Sequence, residues 1–333
     1  MKIAICTDAW VPQVNGVVTT LTHTAEHLRR QGHEVRVVAP DHEGMRTIPL
    51  PGYPEIRLAW RPRSRVNELL DGFGPDCIHI ATEGPMGQAG RGWCLAHNRP
   101  FTTSYHTRFP EYLRARLPVP EGVSYAWLRR FHAPAEAVLV PTPSVCSALA
   151  ERGFGRLQLW SRGVDTERFH PDQRMDLGLP GPVWVYAGRL SVEKNLPAFL
   201  RLNLPGTKLV IGDGPARAGL VRQFPDVVFV GYRRGDELAR YLASGDVFVF
   251  PSRTDTFGLV MLEAMASGLP VAAFPVTGPL DVVRPGLTGV LDHDLRSAAL
   301  CALRLDRSAV RQAALGFGWD ACTRQFEALL QPA

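Results

Sequence analysis

A chain of 333 residues, 45% hydrophobic and 21% charged, is globular in composition and exceeds one comfortable core, so two domains are expected. No apolar run approaches the roughly eighteen residues of a membrane span, and MKIAICTDAW opens as a strand rather than as a signal peptide, which predicts a cytosolic protein. The net charge of +5 is compatible with an acidic partner without specifying one. Lys2, Lys194 and Lys208 are the only lysines among 37 basic residues, so arginine clusters carry less information than usual, and no nucleic-acid partner is expected.

In chain order, KIAICT is a short apolar run, residues 17–31 carry a helical pattern stopped by Gly32, and HEVRVVAP is a second apolar run. This strand, helix, strand unit recurs through DCIHIA, PFTTSYH and AVLVPT to about residue 168. The polar, Gly- and Pro-rich segment LWSRGVDTERFHPDQRMDLGLPG reads as a linker. A second series runs through PVWVYAG, TKLVIGDG, VVFVGY, DVFVFPS and LPVAAFP, alternating with helical stretches such as GDELARYLASG. Two such series predict two parallel-sheet α/β domains covered by helices, in which ligands bind beyond the carboxyl ends of the strands. The cysteines at 6, 77, 94, 146, 301 and 322 form no CxxC pair and predict neither a zinc site nor a disulfide framework.

The stretch PSRTDTFGLVMLEAMASGLPV combines a strand end, a turn with a candidate cap in Asp255 or Thr256, and a helix stopped by Gly268. A helix N-terminus at the carboxyl edge of a strand suits an anion. Glu263 follows Leu259 by one helical turn, about 7 Å along the axis from Gly258. A diphosphate at the N-terminus would therefore leave a ribose diol near Glu263 and a sugar near Asp255; the plainer alternative makes Asp255 a cap and Glu263 a solvated residue. GRLSVEKN places Arg189 and Lys194 after a neighbouring strand, where two fixed cations would neutralise a leaving diphosphate in place of a metal. Gly212 in IGDGP and Gly16 in PQVNGVV permit close backbone approach or simply make turns. His106 in SYHTRFPEY and Glu83 in ATEGPMG each follow a strand and are candidates to face a cleft. The DxD triplet Asp292-His293-Asp294 lies outside these positions and reads as a surface turn.

Taken together, TDAWVPQVNGVVTTL, YHTRFPEY, GVDTERF, GRLSVEKN, GDGP and above all PSRTDTFGLVMLEAMASGLPV resemble the family 4 retaining glycosyltransferases. The resemblance implies the GT-B fold, two Rossmann-like domains facing an interdomain cleft that closes to exclude water. The acceptor domain would span residues 1–168, completed by a C-terminal helix at 318–333, and the donor domain 169–317. Arg189 and Lys194 would hold the diphosphate of a UDP- or GDP-sugar, Gly16 would sit by the donor phosphate, and Gly212, Phe257, Gly258, Leu259 and Val260 would complete the donor site. Glu263 would bind the ribose, and Tyr232 and Arg233 the base. Asp8, Glu83 and His106 would face the acceptor, and His106 would also contact the transferred sugar. Front-face attack would need no protein nucleophile, so His106, Asp255, Arg189 and Lys194 would position and polarise, without cofactor or metal.

Where the family usually has Glu, this chain has Asp255, one methylene shorter, which bears on donor identity. The pattern is most similar to the branch that glycosylates lipids such as diacylglycerol or phosphatidylinositol. Arg57, Arg61, Arg63, Arg65, Arg129 and Arg130 beside Trp60, Trp127 and Phe131 suit an anionic membrane surface, and imply peripheral attachment to the inner face of the cell membrane. A sugar-nucleotide epimerase and a non-catalytic nucleotide-sugar binding protein are the alternatives.

Overall fold

A computed structural model of the chain describes residues 1–40, 45–50, 53–108, 110–111 and 120–331. Phe109 and Tyr112 of the YHTRFPEY motif lie outside the described residues. The chain divides into two compact units, residues 1–162 together with the segment from Trp319, and Gly163–Gly318. Gly163 to Arg168 thus belong with the second unit.

The first unit is built on six parallel strands, β1 (Lys2–Cys6), β2 (Glu34–Val38), β5 (Cys77–Ile80), β6 (Thr102–Ser104), β7 (Ala137–Val140) and β8 (Leu157–Leu159), in the order β2-β1-β5-β6-β7-β8. An antiparallel pair, β3 (Thr47–Leu50) and β4 (Tyr53–Ala59), is separate from this sheet. The helix Gly16–Arg30 starts where Asn15 Oδ1 accepts the amides of Val17 and Val18, both at 3.0 Å. The C-terminal helix Trp319–Leu329 completes this unit. His23 stacks on Trp319 with ring centroids 4.6 Å apart, His27 faces Asp320 at 3.4 Å, and His33 Nε2 lies 2.9 Å from Glu327. Phe326 packs its ring against His79 and Trp160.

The second unit carries β9 (Val183–Ala187), β10 (Thr207–Ile211), β11 (Val228–Gly231), β12 (Val247–Phe250), β13 (Val271–Ala273) and β14 (Gly289–Leu291), all parallel, in the order β11-β10-β9-β12-β13-β14. Its central strands read as unbroken apolar runs because both faces are covered. Val183 and Val185 pack on one face with Leu262 and Met265, while Trp184 and Tyr186 pack on the other with Phe199.

Gly212, at the end of β10, has φ +141°, and a Cβ there would sit 1.9 Å from the carbonyl oxygen of Gly188. The backbone of one strand exit is therefore laid directly on the next, which gives this glycine a packing task. Gly212→Ala is expected to lower the stability of the second unit by about 2 kcal/mol or more, read as an earlier denaturant midpoint; an unchanged midpoint would show that the two strand exits can separate at no cost.

Candidate active site

Numbered within the second unit alone, its strands run 3-2-1-4-5-6, so the order reverses between β9 and β12. Two loops leave the carboxyl edge at that point. The loop after β9 runs through Gly188 and Arg189, and a short 3-10 turn, Val192–Lys194, brings Lys194 to its end. The loop after β12 runs from Pro251 to Gly258. They are tied together by Asn195 Nδ2 donating to the Pro251 carbonyl at 3.1 Å, and by Lys194 Nζ donating to Asp255 Oδ1 at 2.5 Å. Both members of that ion pair are largely buried, with side-chain exposures of 21% and 15%.

The sequence reading put the cap of the following helix, Leu259–Ala266, at Asp255 or Thr256. The cap is Gly258, in the left-handed region at φ 83°, which has no side chain to bond the first-turn amides. That shift frees Asp255 for Lys194 and leaves the positive helix end uncovered by any cap side chain. Around it are buried polar atoms that make no hydrogen bond among the described residues: the hydroxyls of Ser191 and Ser252, and Asp255 Oδ2. Buried polar atoms of this kind are groups that an oxygen-rich ligand can partner.

Glu263 lies one turn into the same helix, and its carboxylate makes no hydrogen bond or ion pair among the described residues. Burial pushes its pKa up to about 7 against the opposing pull of Arg168. Its charge in turn raises the pKa of Tyr232, whose shift is led by burial. Tyr232 is 44% exposed. Arg233 pairs with Glu237 at 2.7 Å and lies over the Tyr241 ring, so it is engaged within its own helix turn. Phe257 is buried in the core, and Leu259 and Val260 are partly buried against it. Asp292 Oδ1 accepts the Asp294 amide and Asp294 Oδ1 the Arg296 amide, so both carboxylates of the DxD triplet shape a turn and cap the helix Leu295–Ala302.

In the first unit, Asp8 follows β1 and is buried, its carboxylate accepting from Thr82 Oγ1 at 2.8 Å and from the Met86 amide at 2.9 Å. It caps the start of the helix Pro85–Ala96, a task the sequence did not announce. Burial raises its pKa against these bonds. Glu83 lies 3.4 Å from His132 Nε2. Gly16 opens its helix at the surface. His106 leaves β6 partly exposed, with hydrogen bonds at both ring nitrogens. Sequence reasoning missed Ser191, Ser252 and Arg162; the two serines are legible only as hydroxyl residues directly inside strand-exit loops.

Two family models match the chain, Glycosyltransferase Family 4 over residues 14–168 and Glycosyl transferases group 1 over 181–305. A GDP-mannose-dependent alpha-mannosyltransferase of Mycobacterium tuberculosis is 33% identical over 96% of this chain and 93% of its own. The sulfoquinovosyl transferase SQD2 of Arabidopsis thaliana is 34% identical over 84% of this chain and 61% of its own. The alpha-monoglucosyldiacylglycerol synthase of Streptococcus pneumoniae is 28% identical over 91% and 78%. Among solved structures, sucrose-phosphate synthase from Thermosynechococcus elongatus superimposes with a TM-score of 0.75 at 22% identity, covering 98% of this chain and 97% of that one. Anabaena HepE in complex with UDP-glucose gives 0.72 at 16%, covering 98% of each. The shared architecture is GT-B, and a relative one-third identical along nearly its whole length places this protein in glycosyltransferase family 4.

Proposed function

We propose that the protein transfers a hexosyl group, with retention and without a metal, from a UDP- or GDP-sugar held by the second unit to a hydroxyl of a membrane lipid or glycolipid held by the first. The observation that carries this is the Lys194–Asp255 pair, joining the two loops that hold the orphaned hydroxyls of Ser191 and Ser252 ahead of a helix capped by Gly258. Lys194, Arg189 and the amides at Gly258 and Leu259 are assigned to the diphosphate, Asp255 to sugar hydroxyls, and Glu263 to the ribose, with Tyr232 beside it for the base. The relatives' names, for GDP-mannose, sulfoquinovosyl and glucosyldiacylglycerol chemistry, support a nucleotide-sugar donor and a lipid acceptor. They leave the epimerase reading without support.

In the step itself, the acceptor oxygen forms a bond to the anomeric carbon as the bond from that carbon to the diphosphate oxygen breaks. The acceptor proton passes to the departing phosphate, on which negative charge grows. Lys194 and Arg189 are fixed before charge develops, so no reorganisation is spent at the moment of reaction. Asp255 keeps Lys194 in place until the donor arrives, and its second oxygen is directed to a hydroxyl.

Incubation with radiolabelled GDP-mannose or UDP-glucose, a membrane lipid extract and EDTA should yield labelled glycolipid. Epimerised or unchanged donor with every sugar nucleotide tried would refute transfer. Lys194→Ala should lower kcat by about 10²-fold or more, since one preorganised cation is lost.

Glu263 offers a second test with a worked sign. In the unfolded chain its carboxyl ionises around the ordinary value of 4.5, whereas in the fold it holds its proton to about pH 7. Proton retention favours the fold at low pH, and this contribution is lost as pH rises from 4.5 through 7. Glu263→Gln should therefore melt higher than wild type at pH 8 and close to it at pH 5, while losing the thermal stabilisation by donor. A variant that keeps the full donor-induced shift would remove Glu263 from the ribose.

For the acceptor side, among the described residues no helix is long and apolar enough to cross a membrane. Trp60 and Trp127 are exposed at 50% and 47%, Val123 at 62%, and Arg61 lies over the Trp60 ring. Phe131, expected at the same surface, is instead buried in the core. Arg57, Arg61, Arg63 and Arg130 are exposed. This combination supports peripheral binding to an anionic bilayer on the cytoplasmic side. The protein should sediment with anionic but not zwitterionic liposomes, and Trp60→Ala with Trp127→Ala should weaken the effect; equal partitioning into both vesicles would overturn it.

A further inference from the structure

The least expected group in the first unit is Arg162, a guanidinium only 4% exposed that pairs with no carboxylate among the described residues. Burying an unpaired cation is costly, and here the charge is met by weaker partners. Nη1 donates to the carbonyls of Trp160 at 2.6 Å and Ser161 at 3.0 Å, and the guanidinium carbon lies 4.5 Å over the Trp160 ring. Nη2 is directed at His106 Nδ1, 3.2 Å away.

A guanidinium can only donate, so this contact settles proton positions well beyond itself. His106 Nδ1 must present its lone pair, and the ring proton must be on Nε2. That nitrogen is 2.8 Å from Ser104 Oγ, which therefore accepts. The Ser104 hydroxyl proton goes to the Ala81 carbonyl at 3.2 Å. His79 Nε2, 3.1 Å from Ser104 Oγ, must then donate to it, and His79 Nδ1 accepts from Thr102 Oγ1 at 2.8 Å. One donor-only residue thus fixes the tautomers of two imidazoles. His79 is fully buried, wedged against Trp160 and Phe326, so the chain is anchored in the core at its far end.

We infer that Arg162 is a positioning residue for His106: it locks the imidazole as the neutral Nε2–H tautomer in a fixed orientation, so that His106 meets the reacting sugar as a fixed, uncharged ring and takes no proton from the acceptor. With Nδ1 facing Arg162 and Nε2 donating to Ser104, the ring has no lone pair left for general-base work. Protonating it would set two cations 3.2 Å apart and break the contact. Burial, together with Arg162 and His79, accordingly holds the His106 pKa well below its ordinary value. The part of the inference that concerns turnover rests on the proposed role of His106 at the sugar; the part that concerns the tautomer does not.

The test begins on the wild-type protein labelled with ¹⁵N-histidine, with His106 assigned by loss of its signals in His106→Gln. Nδ1 should resonate as unprotonated and Nε2 as protonated, without change between about pH 5.5 and 8.5. A proton on Nδ1, or titration near the ordinary histidine value, would overturn the inference. Arg162→Met removes the donor while keeping a long unbranched side chain, and should release the tautomer. With GDP-mannose or UDP-glucose as donor it should lower kcat about tenfold or more while leaving KM within about threefold. A released tautomer with unchanged kcat would likewise overturn it. Should Arg162→Met fold poorly, Ser104→Ala removes the Nε2 acceptor and is read by the same spectra and kinetics. Full transfer by His106→Gln would count against the proposed role of His106 while leaving the tautomer result standing, so the two failures are distinguishable.

Discussion

The backbone pairing of β12 with β9, through Val247 with Trp184 and Phe248 with Val185, is the contact on which the candidate donor site depends. In a parallel sheet every strand exit is on one edge, and only adjacent strands can bring their exits within side-chain reach. Because these two strands meet where the order reverses, the loop carrying Arg189 and Lys194 and the loop carrying Asp255 and Gly258 emerge side by side. The apolar runs VWVYA and VFVF are thus responsible for more than a core. They set the register that makes an ion pair between residues distant in sequence possible.

Desolvation gives that arrangement its chemistry. A lysine and an aspartate in water attract each other weakly, whereas the same pair largely withdrawn from solvent is strongly held and sensitive to any third charge. Glu263 shows the opposite side of the same effect. With no cation bonded to it, burial alone moves its titration into the neutral range. The hydroxyls of Ser191 and Ser252 are likewise buried without a hydrogen-bond partner among the described residues. The second unit therefore stores unmet polar demand in one place, and its hydrophobic sheet is what makes that tolerable.

Much of this was legible from residue order. The helix expected at residues 17–31 is found at Gly16–Arg30, and the two α/β series appear as two parallel sheets with Lys194, Asp255 and Glu263 on the expected loop and helix. What escaped was decided by tertiary context. Asp255 and Gly258 compete for the cap, and the glycine wins because a left-handed turn lets the chain pass close to Phe250 and Met261, where a side chain would collide. Asp8 looks like a strand-end ligand group, yet it serves the amides of a helix far along the chain. Phe131 has the spacing of a surface aromatic but falls on the buried side of its helix. Arg162 carried no signal at all, because an arginine in an arginine-rich chain is unremarkable until its burial is known.

The return of the C-terminal helix to the first unit changes the order in which the protein can be made. The second unit is one uninterrupted segment, Gly163–Gly318, whereas the first is discontinuous and includes the segment from Trp319. The first unit has most of its residues earlier, but Phe326, which packs on His79 and Trp160, and the partners of His27 and His33 follow the whole second unit in the chain. The earlier half of the chain thus cannot close this side of its sheet until the later half has been made.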